Sequence, residues 1–234
     1  TSFNCKATYI NGELVAENGQ TKIESVTETP VNNFNCSPIS IEQIQVTATS
    51  ASIKVIEVED GRLITTKGSA ELNPIDGKLQ SDVSQDVLKV VVVNRYFDAQ
   101  PAVAFIRNFG LRQGALASCV AHDSHNIIAV GVSDDDIVNA INLVVESKGG
   151  VSLANGDEHI VLALPVAGIM TNKGGYETAE AYEKLDCRAK ELGVTLSAPY
   201  MTMSFCALLV IPELKLSDKG LFDGNKFEFT SLEE

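Results

Sequence analysis

The sequence predicts an α+β fold in which two helices pack on largely antiparallel sheets. Asn-Gly or Asp-Gly pairs at residues 11–12, 60–61 and 155–156 each separate runs with strand character. Such pairs are strong hairpin signals, because a type I′ turn needs positive φ at both central residues. The apolar spacing of an amphipathic helix occurs in two segments, both late in the chain. Many strands followed by a few helices are typical of an α+β domain.

The first part of the chain is predicted to form a short β segment followed by a connector. Residues 7–10 and 13–16 flank Asn11-Gly12, which predicts a hairpin. Residues 21–38 are polar and contain Pro30 and Pro38, as expected for a connector. We therefore expect two units, residues 1–38 and residues 39–234.

The second unit begins with a series of predicted strands. The run from Leu88 to Val93 is the most apolar of them, and residues 114–121 and 127–132 read as two further buried strands. The complete set of predicted strands comprises residues 44–49, 51–58, 62–66, 86–96, 102–109, 114–121 and 127–132.

Two helices are predicted after these strands. Ser133 is suited to cap the first, with Asp136 as the acid of a capping box, and apolar residues recur at helical spacing from 137 to 144. A hairpin of residues 151–153 and 160–164 follows. The second helix is predicted from about residue 177 to residue 192, with Gly193 as its stop signal. The remainder, including residues 201–205, is predicted to be strand and loop.

Charge and cysteine content narrow the function classes. A net charge of −13 and a pI of about 4.6 argue against binding to nucleic acid or to an anionic membrane, which requires Lys and Arg to neutralise phosphates. We find no apolar stretch of the roughly 18 residues that a membrane span needs. The five cysteines are widely spaced and form no CxxC pair, which suggests reduced thiols in a cytoplasmic protein. The N-terminus lacks both a signal-peptide pattern and an initiator Met, which suggests a cut or processed end.

A dense polar cluster lies between the two predicted strands 114–121 and 127–132. It consists of His122, Asp123, Ser124, His125 and Asn126, and it holds two of the three histidines of the chain. Polar residues on a rigid support of buried strands are where a fold can present chemistry.

Residue chemistry leaves two interpretations of this cluster open. In an extended segment Asp123 and His125 would lie on one side, where the carboxylate could orient the imidazole for proton transfer, and Ser124 and Asn126 could bond a heterocycle. Alternatively, the loop only satisfies its own backbone, as Asp, Ser and Asn often do. A metal site would need a further ligand such as His159, and none is expected in this chain.

Residues outside the cluster are given both functional and structural interpretations. Arg95 and Arg107 are placed to orient an anion, or else to form structural ion pairs. Cys119 is expected to be a buried strand thiol, with a reactive thiol as the alternative. Residues 201–205 either line a flat apolar pocket or belong to the core.

Several segments resemble one family, the bacterial adenine deaminases of the amidohydrolase superfamily, in their C-terminal region. The hairpin Tyr9-Ile10-Asn11-Gly12 resembles the strand pair that closes the small β domain beside an amidohydrolase barrel. The most specific segments are Asn94-Arg95-Tyr96, Val120-Ala121-His122-Asp123-Ser124-His125-Asn126, Leu164-Pro165-Val166-Ala167-Gly168 and Val210-Ile211-Pro212-Glu213-Leu214.

The resemblance implies hydrolysis of adenine to hypoxanthine and ammonia by a homodimeric enzyme. It also implies a pair of manganese or iron ions in a barrel, beginning with an HxH motif that this sequence lacks. We therefore expect this chain to work beside a barrel in cis or in trans and to shape or close its active site. His122, Asp123 and His125 are the expected accessory catalytic residues, and Ser124, Asn126 and Arg95 are expected to bind substrate. The alternatives are a non-catalytic scaffold or dimerisation domain and a free-standing purine-binding module.

Overall fold

The protein is described by a computed structural model that covers residues 3–24, 26 and 29–234. Within these residues the fold is α+β, as predicted, and the sheets are mostly antiparallel. Three α-helices are present in the described part of the chain where the sequence predicted two. Among the same residues, no helix combines the length and the apolar character required to cross a bilayer.

The predicted N-terminal hairpin is confirmed. Strands β1 (Ala7–Ile10) and β2 (Glu13–Glu17) pair in antiparallel fashion, and β3 (Gln20–Thr21) adds to β2. Asn11 and Gly12 have φ of 52° and 86°, the left-handed conformation that a type I′ turn requires. The predicted unit boundary at residue 38 stays a prediction, but Phe34 and Cys36 already lie in the core of the larger unit.

A central sheet of eight strands organises the rest of the chain. Its order is β13-β12-β10-β11-β8-β9-β5-β6, and every neighbouring pair is antiparallel except β5 with β9. In chain order these strands are β5 (Ser52–Glu57), β6 (Thr66–Glu71), β8 (Val87–Val93), β9 (Ala102–Arg107), β10 (Ala115–Ser118), β11 (Ile127–Gly131), β12 (Gly150–Asn155) and β13 (Glu158–Ala163).

The remaining elements include helices on both faces of this sheet and two smaller sheets of short strands. Helix α1 (Asp134–Glu146) packs on one face, where it meets β10, β11 and β12. Helices α2 (Gly175–Glu191) and α3 (Pro199–Phe205) lie on the other face with the small sheet β14-β15-β16. The short strands are β4 (Val46–Thr47), β7 (Lys78–Leu79), β14 (Leu214–Ser217), β15 (Gly220–Asp223) and β16 (Glu228–Phe229).

Strand β8 shows why the sheet carries a core on each face. All seven of its residues are buried, which confirms the predicted strength of this strand. Val90 and Val92 belong to the core that also contains residues of α2 and α3, whereas Val91 and Val93 belong to the core under α1. Side chains alternate across a strand, so a run of consecutive valines fills both cores at once.

Two of the predicted strands are wrong. Residues 62–65 form a loop. The Thr65 amide and hydroxyl donate to the carbonyls of Pro212 and Leu214, and not to the neighbouring strand β5. Residues 201–205 form the end of α3, although their alternating pattern resembles a strand. Thr202, Met203 and Ser204 are consecutive and all buried, because the helix packs on β10 and β11.

Candidate functional site

The polar loop, defined as residues 122–126, lies in the connection between β10 and β11. Ser118 at the end of β10 pairs with Ile128 of β11, and both strands are completely buried. His122 and His125 are half-buried, Asp123 and Ser124 are exposed, and Asn126 is buried. The loop therefore extends from a rigid support and exposes its carboxylate and hydroxyl.

The loop is a turn, so the arrangement considered for an extended segment does not apply. The His125 amide donates to the Ala121 carbonyl at 2.7 Å, and His125 has φ of 53°. This compact geometry removes the strand alternation that would have placed Asp123 and His125 on one side. It brings the rings of His122 and His125 near each other instead, with centroids 6.1 Å apart.

His122 is held by an aromatic ring from α3. Its imidazole stacks on Phe205 with a centroid distance of 4.9 Å and an interplanar angle of 23°. Such an offset contact fixes the plane of the ring while leaving its edge free for hydrogen bonding.

The surroundings of His125 favour its neutral form. Burial lowers the pKa of its imidazole, the nearby charges of Arg95 and His122 lower the pKa further, and Asp123 opposes them. Its Nδ1 atom is buried and has no hydrogen-bond partner among the described residues. A neutral imidazole with an unused nitrogen can accept or donate a proton near neutral pH once a partner reaches it.

Arg95 anchors the polar loop through hydrogen bonds. Its amide donates to Asn126 Oδ1 at 3.2 Å, and its Nη2 donates to the Tyr96 hydroxyl at 3.2 Å. The Tyr96 hydroxyl in turn donates to the Ser124 carbonyl at 2.7 Å. Arg95 and Tyr96 thus hold the middle and the end of the loop in one hydrogen-bonded network.

The guanidinium of Arg95 is buried without a carboxylate among the described residues. The side chain is 5% exposed, Nη1 donates to the Ala167 carbonyl at 2.8 Å, and Nε has no partner among the described residues. Its central carbon lies 4.8 Å from the ring centroid of Tyr96 and 5.7 Å from that of Phe34. Aromatic faces and carbonyls therefore stabilise this cation where an ion pair was the structural alternative.

The other candidate residues, Arg107, Cys119 and His159, lie outside the polar loop. Arg107 forms the ion pair that was one of its two interpretations, with Glu57 at 2.9 Å. Cys119 is fully buried and donates to the Gly168 carbonyl at 2.7 Å, and burial raises the pKa of its thiol. It is therefore buried, as expected, but it follows β10 and does not lie in the strand. His159 is exposed on β13, and its neighbour Glu158 pairs with Arg188.

A cleft opens beside His122 on the face of the sheet that carries α2 and α3. Its volume is about 460 Å³, within the usual range of ligand pockets. Val151, Leu162 and Leu164 contribute apolar side chains, while Tyr182 and Tyr200 add aromatic rings. Met201 and Ser204 also line it, whereas Met203 lies in the core, so the helical segment 201–205 takes part in both of its proposed environments.

The described residues do not fit a resident metal pair. Among residues 3–24, 26 and 29–234, no group of three or more His, Cys, Asp or Glu side chains could hold a metal ion. His122 and His125 have a single neighbouring acid in the loop, Asp123, and its side chain points to no shared site with them. We therefore assign no chemical step in this chain to a bound metal.

Sequence reasoning placed neither Tyr96 nor Phe205 in contact with the polar loop, and it gave Tyr182 no role in a site. Tyr96 directly follows Arg95 at the end of the most apolar strand, and this position next to a candidate residue was a usable signal. Phe205 and Tyr182 lie on helices far along the chain from His122. No local pattern indicates that they meet the loop or its cleft, because the fold alone brings them there.

Comparisons with known proteins agree on one family. A family model described as adenine deaminase C-terminal domain matches residues 62–228. An adenine deaminase of Methanosarcina barkeri is 45% identical over 240 residues, which cover 99% of this chain and 43% of that protein. One from Salinibacter ruber is 47% identical over 230 residues, covering 97% of this chain and 42% of the relative. The chain thus spans less than half the length of the curated relatives that it matches.

Proposed function

This chain belongs to the adenine deaminase C-terminal domain family, and on that premise we propose that it is the C-terminal part of an enzyme that hydrolyses adenine to hypoxanthine and ammonia. The relatives that support the proposal are named adenine deaminase and match nearly the whole chain. In the proposal, the polar loop shapes or closes the active site of a catalytic barrel joined in cis or supplied in trans.

The observation that carries this role is the construction of the polar loop. Two buried strands support it, and the Arg95–Tyr96 network fixes its backbone from below. Asp123 and Ser124 nevertheless remain exposed. A loop that satisfied only its own backbone would not require an external network on this scale, whereas a group that must meet substrate requires a positioned backbone.

Each loop residue has an assigned part in the proposal. His122, Asp123 and His125 act as accessory catalytic groups, and the neutral imidazole of His125 is suited to exchange a proton. Ser124 contacts the heterocycle directly. Asn126 and Arg95 contribute to substrate binding by holding Ser124 in place, because both are buried and already engaged with the loop.

The manganese or iron pair implied by the family resemblance is proposed to reside in the barrel. The described residues of this chain provide no comparable group of ligands. We further propose a homodimeric enzyme that works in the cytoplasm.

Kinetics of the complete enzyme that contains this chain test the proposal. His122→Ala and Asp123→Ala should each raise the KM for adenine or lower kcat by about tenfold or more, as expected for groups that position a substrate. His159→Ala is the matched control, because it removes an exposed histidine from β13, outside the loop. If both loop variants keep the kcat and KM of the parent enzyme, the proposed role of the loop is wrong.

A second candidate is a non-catalytic scaffold or dimerisation domain. Val210, Phe227 and Phe229 favour it, because 67%, 73% and 50% of their respective surfaces are exposed. Exposed apolar side chains of this size often mark protein interfaces. Val210→Asp and Phe227→Asp would then convert dimers to monomers in size-exclusion chromatography, while loop variants would retain full activity.

A further inference from the structure

The cleft beside His122 lies under the first half of helix α2, where the helix buries less of its surface than in its second half. Leu185 and Ala189 in the second half are buried against the sheet. Gly175, Ala179 and Tyr182 in the first half are exposed, yet they line the cleft. The first turns of α2 thus border an open apolar cleft. A helix of this length would ordinarily bury a continuous stripe of apolar side chains against the sheet.

The chemistry of the lining restricts what can occupy this space. Of the described residues that line the cleft, none is Asp, Glu, Lys or Arg. A charged ligand would therefore lose its hydration without gaining an ionic partner, which is costly. The occupant that suits the lining carries no net charge.

Aromatic residues dominate one side of the cleft. The rings of Tyr182 and Tyr200 have centroids 6.0 Å apart, and His122 at the rim is stacked on Phe205. Ring faces and edges at such distances favour another aromatic ring over a flexible acyl chain, because offset and edge-to-face contacts add to simple burial.

Most hydroxyl groups around the cleft are already used by the protein. Tyr200 donates to the Ser152 carbonyl at 3.1 Å, Ser204 to Met201 at 2.8 Å and Thr178 to Gly174 at 3.0 Å. In contrast, the Tyr182 hydroxyl and the His122 imidazole make no side-chain hydrogen bond within the described part of the chain. Partial burial of its phenol and the charge of Asp186 raise the pKa of Tyr182, which favours the protonated hydroxyl that can donate.

We propose that the cleft under the first half of α2 binds an uncharged, planar heteroaromatic ring. The ring packs between the apolar floor of Val151, Leu162 and Leu164 and the aromatic side chains, and its ring nitrogens bond the Tyr182 hydroxyl or the His122 imidazole. The inference goes beyond the proposed function, because binding in this cleft requires neither a barrel nor turnover.

Calorimetric titration of this 234-residue chain tests the inference. The probes are adenine and indole as neutral planar heteroaromatics, and octanoate as a charged acyl chain. We expect binding of adenine or indole and none of octanoate. Ala179→Trp, which places a bulky ring at the rim of the cleft, should weaken that binding by about tenfold or more, since the added side chain competes for the same volume.

Glu180→Trp is the matched control, because Glu180 is an exposed neighbour on α2 that does not line the cleft. It adds the same ring without filling the space, so its affinity should stay within about twofold of the parent chain. Tyr182→Phe should weaken adenine binding by about fivefold, as expected for one lost hydrogen bond.

Three results would overturn the inference. They are the absence of measurable heat with both adenine and indole, equal affinity in Ala179→Trp and Glu180→Trp, or tighter binding of octanoate than of either heterocycle. Each can occur whether or not the complete enzyme loses activity on mutation of the polar loop. Failure of this inference is therefore distinguishable from failure of the proposed function.

Discussion

Gly168→Ala should destabilise the protein more than an ordinary glycine substitution, because Gly168 lies against the buried Arg95. Gly168 has φ of 77°, and an added Cβ would lie 1.8 Å from Arg95 Nη1. The end of a long side chain can usually move aside, but this guanidinium is bound to the Ala167 carbonyl and lies close to two aromatic rings.

The expected cost has two contributions. Placing alanine in a left-handed conformation costs about 1–2 kcal/mol. Moving Arg95 breaks a hydrogen bond from a charged donor in a buried site, which is worth about 1.5–3 kcal/mol. The free energy of unfolding should therefore fall by about 2.5–5 kcal/mol.

Gly77→Ala separates these contributions. Gly77 has a nearly equal φ of 73°, and no atom lies within 4 Å of its added Cβ. It should lose only the conformational cost of about 1–2 kcal/mol. Thermal unfolding should place Gly168→Ala about 3–12 °C below Gly77→Ala, given about 2–4 °C per kcal/mol for a domain of this size. Equal melting temperatures for the two variants would refute the idea that Arg95 is fixed.

Further predictions concern a buried ion pair, a helix cap and the protonation of His125. In a urea titration, Asp134→Ala should lower the free energy of unfolding by about 3 kcal/mol, because it leaves Lys89 without its ionic partner. The Lys89 side chain is only 1% exposed, so its charge would then be buried and unpaired. Lys89→Met should cost less than half as much, because it removes the buried charge as well. Ser133→Ala should cost about 1 kcal/mol, because the Ser133 hydroxyl accepts from the Asp136 amide at the start of α1; a loss below about 0.3 kcal/mol would contradict this. The pKa of His125 is lowered in the folded protein, so the unfolded chain binds a proton more readily than the folded chain does. The free energy of unfolding should therefore fall as the pH drops from 7 to 5, through the usual histidine pKa of about 6.5. His125→Gln should show a smaller loss over this interval when unfolding is followed by circular dichroism, and an unchanged pH dependence would argue against this role of His125.

The sequence by itself determined the elements that depend on neighbours along the chain. The Asn11-Gly12 hairpin, the valine-rich strand β8 and the capped helix α1 were all predicted, and their turn geometry, burial and cap hydrogen bonds are confirmed. Each carries its signal within a few residues, as a turn dipeptide, a continuous apolar run or a capping box. The polar loop was located by the same kind of signal, because it interrupts two apolar runs.

The tertiary structure alone decided which residues meet at that loop. It made residues 201–205 helical, since packing on β10 and β11 outweighed their alternating pattern. It also stacked Phe205 on His122 and buried Arg95 against Phe34, Tyr96 and the Ala167 carbonyl. Contacts between residues far apart in the chain depend on how the sheet and helices pack, and no short segment of sequence encodes that arrangement.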